Sequence, residues 1–416
     1  MTLTAITNAR VFDGERVRED RPTVVIDAGV IVSIAGVVPA GADVVDGAGA
    51  TLLPGLIDAH VHTSVEGLSL ALRFGVTTEL EMQGVLTRDN RAHVTEDDTV
   101  ADVRSSGFGL TPPGGHPSEL FDSAARPDHD GGLVEHEGHA EGPDDLVMPF
   151  STTPEHALHF VPRLAEAGSD YIKFMIDDGS VEGSPGLPML DAATVTAGVS
   201  ETHRLGLLAV AHTLTVDASR TAVAAGMDGL MHLFMDQAHD QEIVDLIAAS
   251  GAFVTPCLVL NASLIGIPGR DFGADTRVGS KLNPAWQATI ASCYDRYPQG
   301  NFDAILASVK ALHDAGVDIL TGTDVSVPFP TFGGMAHGAS VHHEMQLLVR
   351  AGLTPVEALA AATSTPARRF RLADRGRIAP GLRADLVLVD GDPTTTIADT
   401  LNLRSIWRRG ALLAGS

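Results

Sequence analysis

The run Leu52-Leu53-Pro54-Gly55-Leu56-Ile57-Asp58-Ala59-His60-Val61-His62 decides how the rest of the chain is read. A Pro-Gly pair punctuates two apolar stretches, and the second is short, β-prone and ends in two histidines one residue apart. The strand period of two sends His60 and His62 to the same side. A His-x-His pair at a strand end is a ready chelate for a metal ion.

Working outward, the same punctuation recurs. Arg73-Phe74-Gly75-Val76-Thr77, Ala225-Gly226-Met227-Asp228-Gly229 and Ala315-Gly316-Val317-Asp318 each let a glycine close a helix just before a new strand. Short apolar strands at Leu56–His62, Gly75–Met82, Gly107–Leu110, Tyr171–Ile176, Leu207–His212, Gly229–His232, Ala252–Thr255 and Asp318–Thr323 alternate with amphipathic helices. Eight such units predict an α/β chain folded as a (β/α)8 TIM barrel, with its chemistry at the C-terminal ends of the strands. The two ends of the chain read differently. Thr23-Val24-Val25-Ile26 and Val30-Ile31-Val32 near the start, and Ala384-Asp385-Leu386-Val387-Leu388-Val389 and Ser405-Ile406-Trp407 near the end, are strand-and-turn sequence. Residues 1–54 plus 375–416 are therefore expected to form a small β-sandwich domain, and 55–374 the barrel.

Four further strand ends carry polar groups that belong with His60 and His62. The fifth and sixth strands end in His212 and His232, and the eighth in Asp324. The fourth, Asp170-Tyr171-Ile172-Lys173-Phe174-Met175-Ile176, sets a lysine among large apolar residues. Lysine is scarce here, three of the 28 basic residues, so its use at this position points to chemistry that arginine cannot supply. A desolvated amine is neutral and adds CO2 to give a carbamate, which can bridge two metal ions. The alternative is an ion pair of Lys173 with Asp177, Asp178 or Asp324.

With these residues in hand, the chain resembles the amidohydrolase superfamily, in particular its binuclear members with a carboxylated lysine. The resemblance is carried by Asn8-Ala9-Arg10-Val11-Phe12-Asp13-Gly14, by the run from Leu53 to His62, and by Gly381-Leu382-Arg383-Ala384-Asp385-Leu386-Val387 with Gly391-Asp392-Pro393. Gly114-Gly115-His116 and Ala351-Gly352-Leu353-Thr354-Pro355-Val356-Glu357-Ala358-Leu359 make it most similar to the imidazolonepropionase-related and prolidase-like dipeptidase branch. The resemblance implies that His60, His62 and Asp324 hold one divalent metal, His212 and His232 the other, and Lys173, as N6-carboxylysine, bridges them. Zinc suits such ligands. It further implies a bridging hydroxide as nucleophile, Asp324 as the catalytic acid and base, and His116 as a donor to the developing oxyanion or a substrate contact. The expected reaction is cleavage of an amide-like C–N bond in a dipeptide, an N-acyl amino acid or an aryl or carbamoyl amide. The rival is a mononuclear deaminase or cyclic imide hydrolase of the same fold, which normally carries a glutamate where this chain has Thr215. The chain also departs from the pattern at Ile176-Asp177-Asp178-Gly179, where relatives have a glycine-rich turn, and at Thr213-Leu214-Thr215, where many have an aromatic residue.

Composition limits the partners. A net charge of −25 argues against nucleic acid and anionic membrane surfaces. Two cysteines without paired spacing offer neither a disulfide framework nor a thiolate zinc site, and the start lacks a signal-like segment, so a cytoplasmic setting is expected. The expected partners are a small-molecule substrate and further copies of the chain. The long connections Thr111–Thr153 and Pro256–Gly300 read as lids or subunit contacts. Glu135-His136-Glu137-Gly138-His139 reads as a solvated loop rather than a metal helix. His337, His342 and His343 read mainly as structural, with substrate contact as the alternative.

Overall fold

A computed structural model describes residues 3–18, 20–123 and 149–413 of the chain. Glu135–His139 and most of the Thr111–Thr153 connection lie outside the described residues.

Leu56–Val61 pairs in parallel with Val76–Glu81, which pairs in turn with Asp102–Ser105. A second parallel sheet runs Ile172–Met175, Ala209–His212, Gly229–Met231, Phe253–Thr255. Single parallel bridges join these pieces: Leu110 to Phe174, Val254 to Ile319, and Val61 to Val325. The pairings thus lead from the first strand through its neighbours and back to it. Two strands differ from the sequence reading. The third begins at Asp102 rather than Gly107; its first half pairs with one neighbour, and Leu110, beyond the turn at Gly107, pairs with the other. The eighth, Asp318–Thr323, forms one bridge, at Ile319, but no continuous ladder, and Val325 beyond it forms a second.

Helices follow the strands with their caps already in the sequence. Ser64, Asp191, Thr215, Asp240 and Asn301 each accept a backbone N–H from the first turn of the helix they precede, which satisfies one of its otherwise unpaired donors. The apolar helix faces and outward strand residues share one large core. A smaller cluster, including Ile57, Ala59, Leu80, Tyr171, Val210, Met231, Phe253 and Leu320, draws a residue or two from every strand but the third.

The chain ends meet in one sheet of six strands, ordered Ala411–Leu412, Leu403–Arg408, Leu386–Val389, Thr51–Pro54, Arg10–Phe12, Val17–Arg18. A four-stranded sheet from Val30–Ala35, Thr23–Asp27, Thr4–Thr7 and Asp43–Asp46 shares a buried cluster with it, Ile6, Val24 and Ile26 meeting Val11, Leu52, Leu388 and Trp407. Among the described residues no helix is long and apolar enough to cross a membrane.

The Pro256–Gly300 connection, expected as a lid or a subunit contact, has secondary structure of its own. It folds into short helices, and every residue of Leu258–Leu264 is buried, its first turn clamped by the Glu344 carboxylate at 2.8 Å from the N–H groups of both Leu258 and Val259.

Candidate metal centre

Strand ends deliver the expected side chains to one place. His60 Nε2 lies 2.9 Å and His62 Nε2 3.1 Å from Asp324 Oδ1. The ring of His232 sits 4.5 Å from that of His60 and 4.5 Å from that of His212. Lys173 is buried, and its amine makes no ion pair or hydrogen bond with any described residue. Its charge nevertheless reaches His60, His212 and His232. The six residues read from strand ends are therefore neighbours. Of the carboxylates weighed as partners for Lys173, none pairs with it.

Backbone geometry singles out the same positions. His232, Cys257 and Asp324 stand at φ +72°, +53° and +59°, a region that side-chain-bearing residues rarely occupy. Three adjacent strands thus end in strained turns at the site, a placement common where a side chain must be aimed.

The electrostatics favour neutral imidazoles facing an anionic carboxylate. Burial, aided by the charge on Lys173, lowers His60 to about 3, and burial drives His212 and His232 well below the ordinary histidine range. Burial alone would raise the Asp324 carboxyl, but His60, His62 and His232 hold it well below the usual carboxylate range. Burial lowers Lys173 to about 8, against the opposing pull of Asp324.

These donors fit divalent cations. His60 Nε2, Asp324 Oδ1 and His232 Nδ1 are buried without a hydrogen-bond partner among the described residues, although the first two are 2.9 Å apart. His62 Nδ1 donates to the Gln83 carbonyl at 3.2 Å, which turns Nε2 toward the Asp324 carboxylate. A lone pair and a carboxylate oxygen at such a distance repel unless a positive charge lies between them.

His116, expected as a donor to the developing oxyanion or a substrate contact, is held in place by two carboxylates. It is buried with its ring 4.2 Å from that of His212, and its Nδ1 is taken by Glu119 Oε1 at 2.6 Å and Glu182 Oε2 at 2.7 Å. Burial opposes charge on this ring, but the two carboxylates raise it well above the ordinary histidine value. Burial raises Glu182 to about 7. Only Nε2 of His116 is left to meet anything else.

Several neighbours were not singled out in the sequence for what they do. Asp177 Oδ2 meets His212 Nε2 at 3.1 Å, and Cys257 Sγ lies 3.7 Å from His60 Nδ1. Cys257 follows the seventh strand, at the kind of position from which the other candidate residues came, so position could have flagged it. Glu119 and Glu182 lie in irregular sequence that gives no such cue. The late histidines are structural: His337 bridges Glu79 and the Ser326 carbonyl, His342 bridges Thr400 and the Phe74 carbonyl, and His343 stacks on Phe272.

The family profile described as "Amidohydrolase family" matches residues 51–411. The adenine deaminase of Lysinibacillus sphaericus (strain C3-41) is 35% identical over 75 residues, 18% of this chain and only 12% of that protein's length. The imidazolonepropionase of Anaeromyxobacter sp. (strain K) is 26% identical over 390 residues, 84% of this chain and 77% of the relative. A prolidase solved with N-methylphosphonate-L-proline superposes with a TM-score of 0.73 at 24% identity, covering 99% of both chains.

Proposed function

The chain belongs to the amidohydrolase family, and from that premise we propose that it is a metal-dependent hydrolase that cleaves an amide-like C–N bond in a small molecule. The observation that carries this reading is the set of buried, unpartnered donors on His60, Asp324 and His232 beside the bare amine of Lys173. The scaffold is a (β/α)8 barrel of residues 55–374, in keeping with the returning chain of strand pairings, and a β-sandwich of residues 1–54 plus 375–416.

His60, His62 and Asp324 would hold one divalent cation and His212 and His232 the other, with Lys173 between them. Zinc is the cation these imidazole and oxygen donors suit. Bound there, the cations supply a Lewis acid for the scissile carbonyl and a nucleophile at neutral pH. Lys173 would join these ligands as N6-carboxylysine, its neutral Nζ adding CO2 and losing a proton. Asp324 takes a proton from the attacking group and returns it to the leaving nitrogen. His116, gripped at Nδ1 by two carboxylates, offers its Nε2–H to charge growing on the carbonyl oxygen. A dipeptide, an N-acyl amino acid or an aryl or carbamoyl amide meets these requirements.

The names of the relatives favour a second reading, deamination or cyclic imide hydrolysis with one metal. Against it, Thr215, at the position of the usual glutamate, caps the following helix through the N–H of Ala218. The two readings part on two measurements. Protein purified without chelator is expected to hold about two divalent ions per chain and to release an amine and a carboxylate from dipeptides or N-acyl amino acids. One ion with full activity, or ammonia released from a ring amine with no amide cleaved, would transfer the chain to the second reading.

A further inference from the structure

We propose that Asp177 is a positioning residue that fixes which nitrogen of His212 faces the cation site, an inference that rests on the metal-dependent reading above. The turn that carries it, Ile176-Asp177-Asp178-Gly179, stands where the family resemblance leads one to expect a glycine-rich turn.

Asp177 leaves the strand that neighbours His212. Met175 is the register partner of His212, and the Ile176 N–H donates to the His212 carbonyl at 3.2 Å, so the aspartate emerges beside the imidazole. Its side chain has no exposed surface. One oxygen, Oδ1, accepts the Gly179 N–H at 2.6 Å, and the other, Oδ2, lies 3.1 Å from His212 Nε2. Asp178 stiffens the same turn, its side chain accepting the Ser180 N–H and its carbonyl those of Gly186 and Leu187. With both oxygens committed, the carboxylate cannot rotate away from the ring.

A neutral imidazole carries one proton. A carboxylate can only accept, so the proton sits on Nε2 and the lone pair on Nδ1 is the one left for a cation. His212 is buried, which prevents the ring from swinging into water. The ring of His116, inclined by 30° with its centroid 4.2 Å away, covers one side of His212 and hinders the ring flip that would put Cε1 in place of Nε2 and Cδ2 in place of Nδ1.

Asp177→Asn separates this role from a merely structural one. The amide oxygen keeps the bond to the Gly179 N–H, so the turn survives, but the NH2 group then faces His212 Nε2. A donor there asks Nε2 for its lone pair and drives the proton to Nδ1. Turning the amide over restores the bond to His212 only by setting NH2 against the Gly179 N–H.

The test is zinc affinity by chelator competition on the full chain and on Asp177→Asn, with melting of both metal-free proteins. Imidazole ¹⁵N spectroscopy of the zinc-loaded wild type accompanies it, His212 being assigned with His212→Gln. The expected result is that Asp177→Asn weakens one of two zinc sites by about 10- to 100-fold, as loss of an outer carboxylate partner does, while the metal-free melting temperature barely moves. In the wild type, His212 should carry its proton on Nε2. Two zinc ions held as tightly as in wild type, or a wild-type His212 protonated on Nδ1, overturns the inference while leaving the metal-dependent reading standing. If wild type binds no zinc, that reading falls and this inference with it. If Asp177→Asn does not fold, the wild-type spectrum alone decides.

Discussion

At the scale of single residues, the chemistry turns on how burial has altered Lys173 and Asp324. Lys173→Ala removes the group that would join the two cations and should nearly abolish turnover, with loss of about one metal per chain. Lys173→Arg should fail as well, because a guanidinium cannot be carboxylated. Short carboxylic acids should restore part of the alanine variant's activity, and wild-type rates in Lys173→Arg would show the lysine to be a structural cation. The depressed amine also predicts a pH dependence. Only the neutral amine adds CO2, and burial lowers its pKa to about 8. At constant dissolved CO2, zinc-dependent reactivation of stripped protein should therefore rise about tenfold per pH unit below that value and level off above it. Reactivation still climbing beyond pH 9 would mean that the lysine keeps its ordinary basicity. For Asp324, His60 and His62 already hold the carboxylate anionic, the form needed to accept a proton. Asp324→Asn should lower turnover at least about 10²-fold with little loss of secondary structure, checked by steady-state kinetics beside circular dichroism.

At the scale of elements, the eighth strand decides whether the ligands close up. Its residues run so near the first strand that a Cβ on Gly322 would stand 2.3 Å from Thr255 Cγ2 and 3.0 Å from both His60 N and Cβ. Thr255 and His60 are both buried, so neither can yield. Gly322→Ala should cost about 1–3 kcal/mol by overpacking and reduce zinc retention by displacing His60, read by melting and by metal content. Unchanged values for both would mean that the strand has slack. The same strand shows where sequence reading works. Thr323-Asp324 after an apolar run was legible as a strand end because burial and chain direction are local properties. The third strand was misplaced because Asp102-Val103-Arg104-Ser105 carries two charges and does not read as core. Its charges are tolerated only because Arg375 and Arg383, more than 270 residues later, come back to pair with Asp102. Likewise His116 was legible after its Gly-Gly, but Glu182, which grips it, sits in a turn with no period. The positive φ angles at His232, Cys257 and Asp324 are imposed by packing and leave no local trace.

At the scale of the whole molecule, the far end of the third strand ties the parallel sheets to the C-terminal segment. Asp102 is fully buried, its Oδ2 lying 2.5 Å from Arg375, 3.0 Å from Arg383 and 3.1 Å from Arg104, with Arg408 3.9 Å from Oδ1. Arg408 is itself wholly buried on the six-stranded sheet, and Asp102 shares these cations with Asp374, 2.8 Å from Arg375, and with Asp385, 3.0 Å from Arg383 and 3.6 Å from Arg408. Such a cluster is costly to assemble and far more costly to break, because removing its central anion leaves buried guanidinium groups with too little negative charge and no water. Asp102→Asn keeps the shape and removes the charge, and should destabilise the chain by about 3–5 kcal/mol. Because the site lies on other strand ends, zinc content of the folded variant should stay near that of wild type. The acid response follows from the same contacts. Burial alone would raise the Asp102 carboxyl, but Arg375, Arg104 and Arg383 hold it well below the ordinary carboxylate range. A folded pKa depressed in this way contributes stability that is fully present above the unfolded value, about 3.9, and is lost as the pH falls below it toward the folded value. The melting temperature of wild type should therefore drop more steeply below pH 4 than that of Asp102→Asn, and the difference between the two should shrink as the pH falls. Parallel curves would assign the acid sensitivity to other carboxylates, and a neutral-pH melting temperature equal to wild type would show that the arginines find other partners.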